Sequence, residues 1–256
     1  MTSTVEFDHI APIYDDTRRP PSEEEIRALG EILAGCQTVL DAGIGTGRFA
    51  VPLQARRFEV VGIDLSLGMM HRARAKGVSR LVRADVRHLP FFARSLDAAF
   101  TAHVLQLLPD AREVLLELAR VARRTVVVLL PEWLEHGPSG DWRSVRERYR
   151  ELAAELGYPL PPRGRRYRHT LDELSEIAPP KLVRTVQGSS GGRHPPGDWL
   201  ARWEAQATLG TPVPPEVHAE IVRRLEAEYP RDAPRSGQPR VQRLVVWDSS
   251  DLVAHS

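Results

Sequence analysis

The sequence predicts an α/β protein built on a mainly parallel sheet with helices on both faces. Three observations carry this expectation. The run Thr38-Val39-Leu40-Asp41-Ala42 is an apolar strand that ends on an acid and enters Gly43-Ile44-Gly45-Thr46-Gly47, a glycine turn of the kind that joins a strand to a helix. Two more apolar runs, closing on Asp64 and Asp85, repeat the strand-then-carboxylate pattern. Strands alternate with helical patterns through the first half, a rhythm that needs right-handed crossovers and so places successive strands in parallel.

Taken in order, a helix starts at Ser22, where Ser-x-x-Glu with Glu25 reads as a capping box. Strands are expected near 38–42, 59–64, 80–84, 97–102 and 124–130, with helices starting at Thr46, Ser66 and Asp110 between them. Thr125-Val126-Val127-Val128-Leu129-Leu130 has no polar face at all, so it is a strand buried on both sides, stopped by Pro131. Beyond Pro131 the texture changes. Val145, Tyr149, Leu152 and Leu156 recur at helical spacing between Asp141 and Gly157, and the proline-rich 158–162 ends that helix. A helix from Thr170, a strand at 181–187, a Gly/Pro loop at 189–197, helices from about Asp198 and from Pro215 to Tyr229, and a last strand at 241–247 complete the chain.

The glycine turn carries the chemistry. A dinucleotide-binding turn places glycine at its first, third and sixth positions and turns a helix N-terminus toward a pyrophosphate. Here the sixth position is Arg48, and Asp41 directly before the turn repels phosphate while suiting a cationic group. Asp64 lies roughly twenty residues beyond the glycines, where an acid that holds a ribose belongs. Asp85 closes the third run, and it or its backbone is suited to accept from an adenine amino group. A single acid at a strand end most often caps the next helix. Three around one glycine turn point to a phosphate-free, partly cationic nucleoside.

These segments resemble the class I S-adenosylmethionine-dependent methyltransferases, of the small-molecule kind called methyltransferase type 11. Asp41-Ala42-Gly43-Ile44-Gly45-Thr46-Gly47 is similar to the family's first motif, and Gly62-Ile63-Asp64-Leu65-Ser66 with Met69-Met70 to its second. Ala84-Asp85-Val86 with Leu89-Pro90-Phe91 resembles the third, and Asp97 to Asp110 the fourth strand and the helix after it. Phe7-Asp8-His9-Ile10-Ala11-Pro12-Ile13-Tyr14-Asp15 looks like the N-terminal segment that folds over the cofactor, with its tyrosine near the methionine moiety.

The resemblance implies a Rossmann-like fold of seven strands with a C-terminal antiparallel edge, and S-adenosyl-L-methionine as cofactor. It assigns the cofactor to Tyr14, Asp41, Ala42, Gly43, Gly45, Gly47, Asp64, Leu65, Met69, Asp85, Val86 and Ala102. Many relatives carry two histidines after the fourth strand, but this tract reads Val104-Leu105-Gln106-Leu107 and leaves His103 as its one imidazole. His103 is the catalytic candidate, as general base or for orienting the acceptor; the other reading packs it under the next helix. Residues 1–131 form the cofactor-binding core with its N-terminal cover, and 132–256 complete the sheet. In the family the last two strands are joined by a short connection, whereas roughly fifty residues separate them here. That excess, near 195–230, and the insertion near 138–178 are the candidate lid over the acceptor. Trp142, Tyr149, Tyr167, Trp199 and Trp203 are candidates for its apolar lining, and Arg165, Arg166 and Arg168 for meeting an acidic group.

Composition narrows the function classes. A chain of 256 residues, 42% hydrophobic and 27% charged, buries one sizeable core and has no domain-wide basic surplus at a net charge of +1, which argues against a nucleic-acid partner. The lone Cys36 rules out an internal disulfide and a thiolate zinc cluster. The nine histidines lack metal-ligand spacing, so no metal is expected. No signal-peptide pattern and no membrane-spanning apolar run occur, which makes cytoplasm the expected location. The partner expected is a small-molecule methyl acceptor, with no membrane; oligomeric state is unassigned. Two competing readings are a nicotinamide-dependent oxidoreductase, against which Arg48 and Asp41 argue, and a catalytically silent module that binds an adenosyl ligand.

Overall fold

The apolar runs become strands because β-branched residues fit a pleated surface covered on both sides. A computed structural model of the chain describes residues 7–17, 20–131, 141–160, 169–188, 213–228 and 241–254. Its strands are β1 (Thr38–Ala42), β2 (Glu59–Asp64), β3 (Leu81–Arg83), β4 (Leu96–Ala102), β5 (Ala122–Pro131), β6 (Leu182–Gln187) and β7 (Val241–Asp248). They form one seven-stranded sheet in the order β3-β2-β1-β4-β5-β7-β6. The first five run parallel, and β7 is antiparallel to both of its neighbours. The antiparallel edge expected from the resemblance is therefore present.

Strand pleating sends neighbouring residues to opposite faces, and β1 shows the result. Val39 packs with Leu29 and Leu33 of α2 (Glu23–Ile32) and the residue after it, Leu53 of α3 (Ala50–Ala55) and Ala73 of α4 (Leu67–Ala75). Leu40 faces the other way, with Leu115 and Leu118 of α5 (Ala111–Val121), Leu174 of α7 (Leu171–Ile177) and Leu252 of α9 (Ser249–Ala254). The helices start where a side chain can satisfy their orphan amides. Ser22 and Glu25 make the expected capping box, Ser66 caps α4, Asp110 caps α5, and Thr170 with Glu173 make a second box at α7. One expected start is displaced. The helix after the glycine turn begins at Ala50 and not at Thr46, because Gly45 and Gly47 sit at φ of +55° and +79°, outside the right-handed helical region. The short α9 carries no strong sequence signal; its Leu252 is held in place by burial against α5 and β5.

The parallel sheet is pinned at its base by Asp97. Its Oδ2 accepts from the Gln37 and Thr38 amides at 2.9 Å each and from the Thr38 hydroxyl at 3.0 Å, tying the start of β4 to the start of β1. The Thr38 and Gln37 amides lead the causes that lower its pKa to about 2. A carboxylate depressed in the folded state stabilises above its unfolded pKa and loses that contribution as pH falls through the folded value. Asp97→Ala is accordingly expected to destabilise the protein by roughly 2 kcal/mol at neutral pH. Urea melts of both proteins should converge as pH falls from about 5 toward 2; a gap that stays constant would refute this assignment.

In the 138–178 and 195–230 insertions, α6 (Asp141–Glu155) packs against α8 (Pro215–Glu228). Tyr149, Leu152 and Ala153 of one meet Ile221 and Leu225 of the other in an apolar cluster of their own. The Arg148 guanidinium donates across the pair to Glu228, at 2.8 Å from Nε. Tyr149, a candidate for lining an acceptor pocket, is instead buried between the helices with its hydroxyl 2.9 Å from His218 Nδ1. The side chain of Trp142, and Tyr167, Trp199, Trp203, Arg165, Arg166 and Arg168, lie outside the described residues.

Candidate active site

Parallel strands leave their C-terminal ends along one edge, and ligands bind there where the strand order reverses. In this sheet the reversal falls between β1 and β4. Along that edge the order β3-β2-β1-β4 sets out Asp85, then Asp64, then Asp41 with the glycine turn, then Ala102 and His103. Residues from four separate stretches of the chain thus share one rim.

Asp64 ends β2 with both oxygens already oriented. The Gly45 amide donates to its Oδ2 at 2.8 Å and the Ser66 amide to its Oδ1 at 2.9 Å. A carboxylate has about four acceptor positions, so two remain for other donors. Burial pushes its pKa upward, against the pull of the Ser66 and Gly45 amides.

Asp41 is more deeply placed, at 3% exposure, and among the described residues no hydrogen-bond donor is directed at it. Burial, reinforced by the negative charge of Asp64, raises its pKa well above the ordinary carboxyl range. A buried carboxylate without a donor is costly. It suits a ligand that brings a cation to it.

The turn between them is shaped by its glycines. At Gly43, φ is +82° and an added Cβ would stand 2.2 Å from Val104 Cγ2, so any other residue collides with the loop after β4. Around Gly45, also left-handed, a Cβ would meet nothing within 4 Å, so the turn has open space on that side. Gly47 approaches Ala73 and Val78, allowing the turn to pack against α4.

Asp85 lies two residues past β3 and is paired with Arg87, whose Nη2 is 2.6 Å from Oδ2 and whose backbone amide and Nε are each 3.0 Å from Oδ1. The Arg87 guanidinium holds this carboxyl below its usual range. Val86 is buried beside it. Ala102 closes β4, and His103 follows in the left-handed region at φ +61°, its ring 6.5 Å from that of Phe49. A non-glycine residue in that region is strained. Leu65 is exposed, whereas Met69 is buried in a small apolar group with Ala11, Phe7 and Tyr14.

Two further carboxylates that bind the loops of this rim have no local sequence signal. Asp8 and Asp15 belong to the N-terminal segment, which runs from a 3-10 turn (Asp8–Ile13) into α1 (Tyr14–Thr17). Their partners are 31 to 61 residues away: Ser66 and Gly68 for Asp8, Thr46 and Lys76 for Asp15. A cavity of about 490 Å³ opens between Asp15, Lys76, Gly47 and the start of α2. None of the three strand-tip acids lines it, so it adjoins the cleft without being the cleft.

Residues 40–130 match the model of the methyltransferase domain family. That segment is similar to methyltransferase domains. Over 130 residues the chain is 36% identical to a ubiquinone/menaquinone biosynthesis C-methyltransferase of Syntrophotalea carbinolica, covering 46% of this chain and 55% of that one. Over 104 residues it is 38% identical to a malonyl-[acyl-carrier protein] O-methyltransferase of Salmonella typhimurium, covering 40% and 41%. The matched segments span about half the length of these curated relatives. The fold is shared more widely. A protein of Anabaena variabilis, described as a methyltransferase from an antibiotic biosynthesis pathway, superposes with a TM-score of 0.62 at 15% identity, over 91% of this chain and 99% of its own. An S-adenosylmethionine-dependent methyltransferase of Thermotoga maritima, described as a possible histamine N-methyltransferase, gives 0.53 at 19% identity, over 93% and 97%. Among the described residues, no group of three or more His, Cys, Asp and Glu is placed to hold a metal ion, and no helix is long and apolar enough to cross a membrane.

Proposed function

We propose that the chain transfers a methyl group from S-adenosyl-L-methionine to a small-molecule acceptor in the cytoplasm. The observation that carries this reading is the placement of two carboxylates, the buried Asp41 and the half-buried Asp64, on either side of a turn where a dinucleotide site would seat a pyrophosphate. The residues present fit an adenosyl sulfonium: Asp64 has acceptor positions for two ribose hydroxyls, and Asp41 lacks a donor that an ammonium supplies. When bound, this cofactor supplies a methyl group on a positively charged sulfur.

The protein's share of the work is alignment and exclusion of water. Gly43, Gly45 and Gly47 let the backbone come close to the ligand. Ala42, Leu65, Met69, Asp85 and Val86 flank the adenosyl end, and Tyr14 and Ala102 the methionine end. His103, presented at the end of β4, orients the acceptor or takes its proton. The helix pair α6 and α8 belongs to the lid over the acceptor. The relatives named as C- and O-methyltransferases support small acceptors.

A nicotinamide site is disfavoured by the same geometry. Arg48 stands where a third glycine is needed, and α3 is only six residues long and starts beyond Gly47, a poor seat for a pyrophosphate.

Titration calorimetry with S-adenosylhomocysteine and with oxidised nicotinamide dinucleotide tests the cofactor: binding of the first alone is expected, and the reverse pattern would overturn the reading. Donor turnover over a panel of phenols, amines, thiols and carboxylates then tests the activity. Binding without turnover on any of them would favour a silent adenosyl-binding module. For an acceptor that must lose a proton, His103→Asn is expected to lower kcat by roughly 100-fold and to flatten its pH profile, since asparagine tolerates the left-handed backbone.

A further inference from the structure

The loop after β4 is where the glycine turn and the 138–178 insertion come together. Toward the turn, Val104 fills the space that Gly43 leaves open, for a Cβ on that glycine would stand 2.2 Å from Val104 Cγ2. Just before the loop, the buried Thr101 hydroxyl donates to the Ala42 carbonyl at 2.8 Å and ties the end of β4 to the end of β1. The turn is held from β2 as well, its Gly43 and Ile44 amides donating to the Ile63 carbonyl at 2.9 and 2.8 Å. A ligand that fixes the glycine turn therefore fixes the wall against which Val104 rests.

Toward the insertion, the loop runs through a 3-10 turn (Leu105–Leu107) that ends at Leu108. His169 Nε2 lies 2.9 Å from the Leu108 carbonyl oxygen. A carbonyl only accepts, so Nε2 carries the hydrogen and donates, in the neutral and the charged imidazole alike. The side chain is 11% exposed, which leaves water little access to compete for the bond. Thr170, the next residue, forms the capping box of α7 with Glu173, so the imidazole is presented from the fixed start of a helix. Leu171 and Ile177 of α7 pack against the same apolar core as Leu108 and Val104. Apolar packing has no direction and tolerates sliding, whereas a hydrogen bond demands alignment. The His169 bond therefore sets the register of α7 on the loop.

Resting on the adenosyl reading given above, we propose that His169 is a positioning residue that fastens the insertion to the loop bearing His103, so that filling the cofactor turn orders α7 and seats the acceptor side of the site. It acts through the Leu108 carbonyl, and the loop passes the effect to the glycine turn through Val104. The coupling is reciprocal: the factor by which the cofactor favours a seated α7 is the factor by which a seated α7 favours the cofactor.

The test measures hydrogen exchange of amides 170–177 with and without S-adenosylhomocysteine in wild type, His169→Phe and His169→Gln. In wild type the ligand is expected to slow that exchange roughly fivefold. Phenylalanine keeps a ring and removes the donor. Without ligand, exchange at 104–108 and 170–177 should then rise roughly tenfold. Adding the ligand to this variant should change exchange at 170–177 by less than about 1.5-fold, and its calorimetric affinity should fall by no more than about fivefold. Glutamine, whose side-chain amide donates to a carbonyl, is expected to restore most of the wild-type response. His169→Ala replaces the phenylalanine variant if that one does not fold. Wild-type exchange at 170–177 that ignores the ligand would overturn the coupling and leave the cofactor reading standing. A donor-less variant that keeps the response, or a glutamine variant that loses it, would overturn the coupling as well. Failure of the wild type to bind S-adenosylhomocysteine at all would overturn both.

Discussion

Asp64→Ala is expected to weaken S-adenosylhomocysteine binding by about two to four orders of magnitude, the loss of two hydrogen bonds to a charged acceptor at about 1.5–3 kcal/mol each. The variant should also be less stable than wild type by roughly 1–3 kcal/mol, because the Gly45 and Ser66 amides lose the carboxylate that they hold at 2.8 and 2.9 Å. Asparagine is no conservative replacement here. Its amide nitrogen would face one of those two N–H groups, setting donor against donor. Calorimetric affinities and urea melts of the purified variants measure both effects. Binding within about threefold of wild type would remove Asp64 from the site.

Asp41→Asn is expected to move stability and binding in opposite directions. Burial and the neighbouring charge of Asp64 raise the pKa of Asp41, so its ionised form destabilises the ligand-free fold. A carboxyl raised in the folded state contributes stability below its unfolded pKa and loses it as pH rises through the folded value. The neutral amide removes that penalty. At pH 8 the ligand-free variant should be more stable by roughly 1–2 kcal/mol, and the advantage should shrink as pH falls and Asp41 takes up its proton. The same substitution removes the charge proposed to meet the ligand's ammonium, at about 2–5 kcal/mol of binding. In wild type a cationic ligand favours ionised Asp41, so binding should release a proton and strengthen with rising pH until Asp41 is ionised in the free protein. Calorimetry in buffers of different ionisation enthalpy counts that proton. A variant that is destabilised at pH 8 yet binds normally would show that Asp41 serves the fold alone.

These two acids differ in how they were legible. Both stand out in the sequence as carboxylates that close apolar runs beside a glycine turn, and the structure brings them to one rim as expected. Their unlike states were not legible: Asp64 is held by two backbone amides, while Asp41 has only burial and its neighbour's charge. Asp85 also stands out as an acid closing an apolar run, but its pairing with Arg87 depends on how the chain turns after β3. Asp8 and Asp15 were visible only as members of a resembling segment, since their partners lie in other loops. Helix starts are legible where the cap is a local contact, as at Ser22, Ser66, Asp110 and Thr170. The start after Gly47 is not legible, because a pattern of residue types does not show which glycines take positive φ.

By itself, the sequence determined the strands, the capped helices and the three acids that close β-runs, because each is written in periodicity or in contacts a few residues apart. Tertiary structure alone decided which groups meet: the N-terminal segment bonded to two loops through Asp8 and Asp15, Asp97 locking β4 to β1, and Tyr149 buried between α6 and α8. Those pairings join residues distant in the chain, and only the packing of the sheet and its layers brings them within hydrogen-bond or van der Waals reach.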